Sequence, residues 1–179
     1  MKSTHPTFNP NKWNKNPYVR NSHNCYAYFL NKTSKSAKRA CKKTLKKKGC
    51  LRPQPGYHAG KGKLKYKKTT CKYIQNRVFA DNKHIYKTNF KKACPKHMYK
   101  GALAVDRKKD YHFYRQDADK TWSHKNSTKK ATRFDASGKR IYNPKKANRT
   151  YKKDKFTDFC GFYCLPVSSR NKFMRLTPQ

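Results

Sequence analysis

An α+β fold is what this chain predicts, on three observations. Helical spacing of apolar residues is confined to the stretch 24–81, strand-like runs are confined to 102–164, and the eight acidic residues are all Asp lying beyond residue 80. A purely basic first half thus supplies a few helices, and a mixed second half supplies a short antiparallel sheet. Around that core, 1–20 and 167–179 read as extended basic arms, leaving 21–166 as the folded domain with a basic insertion over 32–100.

The charge sets the problem that the fold must solve. Forty-seven Lys and Arg stand against 8 Asp in 179 residues, a formal net charge of +39. Leu, Ile, Val and Phe together number only 24, a scarcity that with such charge ordinarily means disorder. Thirteen Tyr, ten Phe and two Trp offset it with large buried area per residue, and seven Cys add small hydrophobes or staples. The longest apolar run, Tyr26 to Leu30, is far too short to span a bilayer. Residues 1–6 lead into Asn and Lys rather than an apolar segment, which predicts no secretion signal and a protein made inside a cell.

The elements follow in order. Asn9-Pro10 and Asn16-Pro17 punctuate a first arm without periodicity, which Trp13 and Tyr18 could anchor. Asn24 to Asn31 reads as a short buried helix with Ser22 or Asn24 as N-cap. From Ser36 to Lys48, residues Ala37, Ala40, Cys41, Thr44 and Leu45 fall at i, i+3, i+4, i+7 and i+8 and stop at Gly49, an amphipathic helix with a lysine-coated outer face. Arg52 to Gly56 is a turn, and Cys71, Ile74, Val78 and Phe79 mark a further helix closing near Asp81-Asn82. Ala102–Val105, Tyr111–Arg115 and Thr121–His124 read as strands, the last two joined by a hairpin over 117–120, with a short strand at Ile141-Tyr142. Phe159 to Cys164 belongs in the core, and Phe173 is the aromatic of the terminal arm.

One constellation carries chemistry. Cys25 opens a helix, where unsatisfied N–H groups and the dipole favour thiolate and could bind an oxyanion. His112 and His124 lie twelve residues apart across a hairpin, so cross-strand pairing can bring a base and an orienting partner together. In the pieces Asn24-Cys25-Tyr26-Ala27-Tyr28, Ala102–Val105, His112-Phe113-Tyr114 and Trp122-Ser123-His124 the chain resembles the papain-like cysteine peptidases of the NlpC type. The resemblance implies a small papain-like core with Cys25 as nucleophile, His112 as general base and His124 as orienting residue. The chain departs from that family in the long basic insertion after Cys25 and in lacking the Ser-Gly that usually follows the Cys.

The other cysteines, Cys41, Cys50, Cys71, Cys94, Cys160 and Cys164, permit three disulfides in any of fifteen connectivities. A reducing compartment would instead leave them as thiols, and Cys94, His97, Cys160 and Cys164 have spacings compatible with a Cys₃His zinc site. No other cofactor is expected. The lysine runs are dispersed, with no recognition helix or RNA-binding strand motif, so binding to acidic protein surfaces or non-specifically to phosphate is expected rather than base reading.

The Lys/Asn/Tyr-rich, Glu-free composition also resembles that of small proteins packaged in particles of large double-stranded DNA viruses. Taken together these features lead to the expectation of a minor capsid or cement-type virion component, built on a papain-like fold and holding acidic capsid proteins or the genome. Alternatives are an active thiol peptidase or amidase using Cys25, His112 and His124, and a non-specific nucleic-acid compaction protein.

Overall fold

The computed structural model describes residues 5–167 and 176–177. Five helices come first or early: α1 (Pro10–Asn14), α2 (Pro17–Ser22), α3 (Cys25–Phe29), α4 (Lys35–Lys48) and α5 (Cys71–Asp81). The strands are β1 (Arg52–Pro53), β2 (Tyr86–Thr88), β3 (Met98–Asp106), β4 (Asp110–Gln116), β5 (Trp122–Lys125), β6 (Ala131–Thr132), β7 (Asp158–Pro166) and β8 (Leu176–Thr177). Six of them form one antiparallel sheet in the order β2-β7-β3-β4-β5-β6, and β1 pairs separately with β8. The α+β expectation therefore holds.

The first arm is a correction. Residues 10–22 are two helices rather than an extended segment. Each Asn-Pro pair is a helix start: Asn9 accepts from the N–H of Lys12, Asn16 accepts from those of Tyr18 and Val19, and each proline sits at the first helical position, where its missing N–H costs nothing. Trp13 on α1 is 1% exposed and meets the Tyr28 ring edge-on at 4.8 Å, in a cluster with Ala27 and Ala131. It anchors the N-terminal segment to the protein's own core. Of the second arm, Leu176 and Thr177 pair with Pro53 and Arg52, while Phe173 lies outside the described residues.

The stretch 32–100 is likewise integral, because it contributes α4, α5 and β2. Ser34 caps α4 through the N–H of Ala37, and Thr70 caps α5 through that of Tyr73. Gly49 ends α4 at a φ of 74°, a conformation that penalises any side chain. Ile141 is buried but forms no strand. Its N–H donates to the Arg133 carbonyl and its own carbonyl accepts from Trp122, while the short pairing partner β6 and the edge strand β2 went unread in the sequence.

The two faces of the sheet divide the core. Leu103, Val105, Tyr111, Phe113, Tyr163 and Leu165 turn to one face, where Cys25, Tyr26 and Phe29 of α3 and Ile74 and Val78 of α5 cover them. Ala102, Ala104, Tyr114, Trp122 and Phe162 turn to the other, under Ile141 and Phe156 from the long 133–157 connection. Phe29 lies so close to β3 that a Cβ on Gly101 would stand 2.4 Å from its ring, so only glycine fits there.

Three disulfides staple this arrangement: Cys41–Cys50, Cys71–Cys160 and Cys94–Cys164. The even spacing of Cys160 and Cys164 would put both on one face of a regular strand. A bulge in β7 opposite Leu103 and Ala104 inserts one residue, and Cys160 turns to the α5 side, where Cys71 opens the helix. Cys164 keeps the other direction and reaches Cys94. The zinc grouping is thereby taken apart, since its sulfurs are in separate disulfides and Cys160 and Cys164 are split between the two sides of β7. The reading of these six cysteines as free thiols is corrected on the same ground.

Candidate functional site

Cys25 stands where the sequence placed it, at the first position of a helix capped by Asn24, whose side chain accepts from the N–H of Ala27. Its surroundings are those of a core residue. The thiol is 5% exposed, its Sγ faces the Tyr111 carbonyl at 3.8 Å, and burial pushes its pKa up to about 12, with Asp110 adding to the effect. A thiolate is disfavoured at neutral pH.

His112 and His124 do come together, on neighbouring strands, with Nε2 of the first 2.8 Å from Nδ1 of the second. They sit on the opposite face of the sheet from Cys25. Tyr111 and Phe113 point to α3, and His112 between them points away, under Phe156 and Tyr114. No Cys25–His112 dyad is formed, so the nucleophile–base pair implied by the peptidase resemblance is absent from this geometry.

The tautomers follow from the partners. His124 Nε2 lies 2.9 Å from the Phe134 carbonyl, which only accepts, so Nε2 carries the proton and Nδ1 accepts from His112 Nε2–H. Both rings are neutral. Burial holds His124 down at about 4, and burial with the His124 ring beside it holds His112 well below the usual histidine range. The pair ties β4, β5 and the 133–157 connection together. If it is structural, iodoacetamide at pH 7.5 should leave Cys25 of the folded, disulfide-intact protein unlabelled, and His112→Ala should raise labelling only as far as it destabilises the fold. Rapid, His112-dependent alkylation, read by mass spectrometry, would contradict this placement.

The sheet also buries cations that sequence reasoning passed over. Arg115 is fully buried, stacked over the Tyr28 ring at 4.2 Å and bonded to Asp117, which also accepts from Ser123. Lys100 donates to the carbonyls of Asn89, Phe90 and Lys92, and Lys125 to those of Arg20 and Ser127. These two lysines close loops through backbone acceptors, a role with no local motif to reveal it.

The acids are as fully engaged. Asp81 accepts from Tyr26 and from the N–H groups of Gly56 and Ala59, Asp110 from Tyr111, and Asp135 from Ser137, Lys139 and Asn148. Asp106 and Asp154 face Lys109, Asp117 and Asp119 face Arg133, and Asp158 pairs with Arg107. Each of the 8 carboxylates thus has a partner inside the fold, and the cations that meet them in ion pairs include Arg107, Lys109, Arg115, Arg133 and Arg140.

Three exposed lysines and an arginine gather beside one concavity. Lys35, Lys38, Arg39 and Lys42 of α4, with Asn16 and Tyr18 at the start of α2, line an open groove of about 480 Å³. Tyr18 is half-buried at its edge, so this anchor residue of the expected arm belongs to a wall of the folded domain. Among the described residues, no group of three or more His, Cys, Asp or Glu is placed to hold a metal ion, and no helix is long and apolar enough to cross a membrane.

No family model matches the chain, and no solved structure does. It is similar to Insoluble matrix shell protein 1 of Ruditapes philippinarum, with 41% identity over 61 residues. That alignment takes in 34% of this chain and 38% of the relative, so the chain spans well under half of the protein it matches.

Proposed function

We propose that this protein is a non-catalytic structural component of an insoluble assembly, in which its lysine surface binds acidic protein surfaces. The observation that carries the reading is the carboxylate accounting: each of the 8 acids is held by the fold, and a net charge of +39 is left with no carboxylate in the chain to match it. A compact surface of +39 repels itself, and an anionic partner relieves that repulsion. The partial likeness to a protein named as an insoluble matrix component supports the structural part of the proposal. Three disulfides suit an oxidising setting, such as an extracellular matrix or the surface of a particle. A virion shell is one such particle and remains within the proposal.

The test is sequential extraction of the native material. Retention through nuclease treatment, with release by about 1 M salt after reduction, is the expected result, because screening at that strength shortens the Debye length to about 3 Å. Release by nuclease alone would replace this reading with genome compaction.

A further inference from the structure

We propose that the groove between α2 and α4 is a specific seat for an extended acidic peptide segment in which carboxylates recur at alternate residues. The proposal rests on the functional reading above and names the site through which such a partner is held.

The groove differs from the rest of the basic surface in its order. Lys35, Lys38, Arg39 and Lys42 fall at i, i+3, i+4 and i+7, so a helix presents them as one stripe. The stripe climbs about 10 Å along α4, in three levels about 5 Å apart. The stripe is held in place from behind. Ala37 and Cys41 are buried, Cys41 is bonded to Cys50, and Ser34 at the helix start donates its N–H to His23 Nε2, fixing α4 against the end of α2. No ion pair reaches any of the four cations among the described residues, and no acid precedes Asp81 in the chain.

The opposite wall is neutral. Asn16 uses its side-chain oxygen to cap α2, which leaves its amide hydrogens for a second partner, and Tyr18 adds a ring and a phenol. One charged wall facing one hydrogen-bonding wall suits a chain that is itself two-sided. In an extended peptide, side chains at i and i+2 share a face and stand about 7 Å apart, a spacing that long lysine side chains can meet from levels about 5 Å apart. The peptide's carbonyls are then left to the Asn16 amide and the Tyr18 hydroxyl. A nucleic-acid duplex, about 20 Å wide and charged on both backbones, does not enter a concavity of about 480 Å³ and would find a neutral wall where it offers phosphate.

The experiment uses the full, disulfide-intact protein and a fluorescent Asp-Ser octapeptide with Asp at alternate positions, titrated in 150 mM NaCl and followed by anisotropy. Two variants carry the same change of charge: Lys38→Glu/Lys42→Glu in the groove, and Lys145→Glu/Lys146→Glu on an exposed turn outside it. Circular dichroism melts confirm folding, and both sites are exposed. The groove pair is expected to weaken binding by tenfold or more and the control pair by no more than about twofold. Tyr18→Ala should weaken it by several-fold at constant charge. Equal loss in the two charge variants would overturn the groove while leaving diffuse binding of acidic surfaces intact. Absence of binding by the unaltered protein would overturn both. Tight binding of a DNA duplex that the groove pair weakens tenfold, with the peptide affected no more than by the control pair, would reassign the groove to phosphate and overturn the proposal.

Discussion

Lowering the pH from 7 to 4.5 is expected to remove several kcal/mol of stability and to bring the protein close to unfolding. The cause is three neutral, buried histidines. His23 accepts from the Ser34 N–H at Nε2 and donates from Nδ1 to the Val19 carbonyl, and burial holds it down at about 4, as it does His124. His112 is likewise held well below the usual histidine range, by burial and by the neighbouring His124 ring. In the unfolded chain each takes up a proton near 6.5, whereas the folded protein binds none until near 4, so the stability present above 6.5 is lost as the pH falls through that window. Each of His23 and His124 contributes about 3 kcal/mol to the loss. Asp110 acts the other way. Burial raises it to about 6, so the folded state takes up its proton first and regains about 2 kcal/mol by pH 4.5, and Asp117 adds in the same direction. The net loss, about 3 to 6 kcal/mol, is a large fraction of the 5–15 kcal/mol typical of small domains. Urea midpoints at pH 7.0 and 4.5 measure it, and midpoints that agree would show that the rings are not held neutral. Replacing the pair together, His112→Phe with His124→Leu, should flatten the acid limb whatever it does to stability at pH 7.

Above neutrality the same accounting predicts a further rise. Lys125 is buried against the carbonyls of Arg20 and Ser127, and burial brings it down to about 7. Between about 7 and 9 the unfolded chain binds the proton that the folded one has released, so stability increases with pH; from about 9 upward the unfolded chain ionises Cys25, which the fold holds protonated up to about 12, and the rise is opposed.

Much of this architecture was readable, and the failures have physical reasons. α4 and α5 were legible because their apolar residues keep a helical period and their ends carry stop signals such as Gly49. β3 to β5 were legible because short apolar runs flank a polar hairpin. The N-terminal helices were hidden by a composition that resembles linker, although the two Asn-Pro pairs spell a cap followed by a pre-set first turn. β2 and β6 are too short and too polar to announce themselves, since they exist only through pairing with β7 and β5.

The site failed on parity. Across a hairpin, the twelve-residue spacing of His112 and His124 correctly put them side by side. It could not say which face they share. A strand sends neighbours to opposite sides, and the flanking Tyr111 and Phe113 bury far more apolar area against α3 than an imidazole would. They take the α3 face, and His112 is sent to the other. The zinc reading rested on the short spacings of Cys94, His97, Cys160 and Cys164, and it failed because Cys160 is itself the bulged residue of β7 and turns to Cys71 rather than sharing a face with Cys164.

Reduction of the three disulfides is expected to abolish the folded state at physiological temperature. Cys71–Cys160 and Cys94–Cys164 close loops of 89 and 70 residues onto one strand, β7, which lies between β2 and β3 in the sheet. In the chain-entropy account each long loop is worth about 4 to 5 kcal/mol, and the Cys41–Cys50 loop, with a separation of 9, about 2 to 3. The sum rivals the total stability of a small domain. This core is poorly placed to absorb the loss: it has few aliphatic residues, and an unfolded chain at +39 gains by expanding. Thermal melts with and without about 10 mM dithiothreitol, alongside non-reducing peptide mapping of the three bridges, decide the matter. The order of damage is part of the expectation. Cys41→Ser/Cys50→Ser should melt somewhat lower but cooperatively, because it frees only the end of α4, whereas Cys71→Ser/Cys160→Ser should expose the α3 and α5 side of the sheet and bring Cys25 within reach of alkylation. A reduced protein that melted within a few degrees of the oxidised one would mean that packing of the Tyr and Phe residues alone carries the fold, and the case for an oxidising compartment would fall with it.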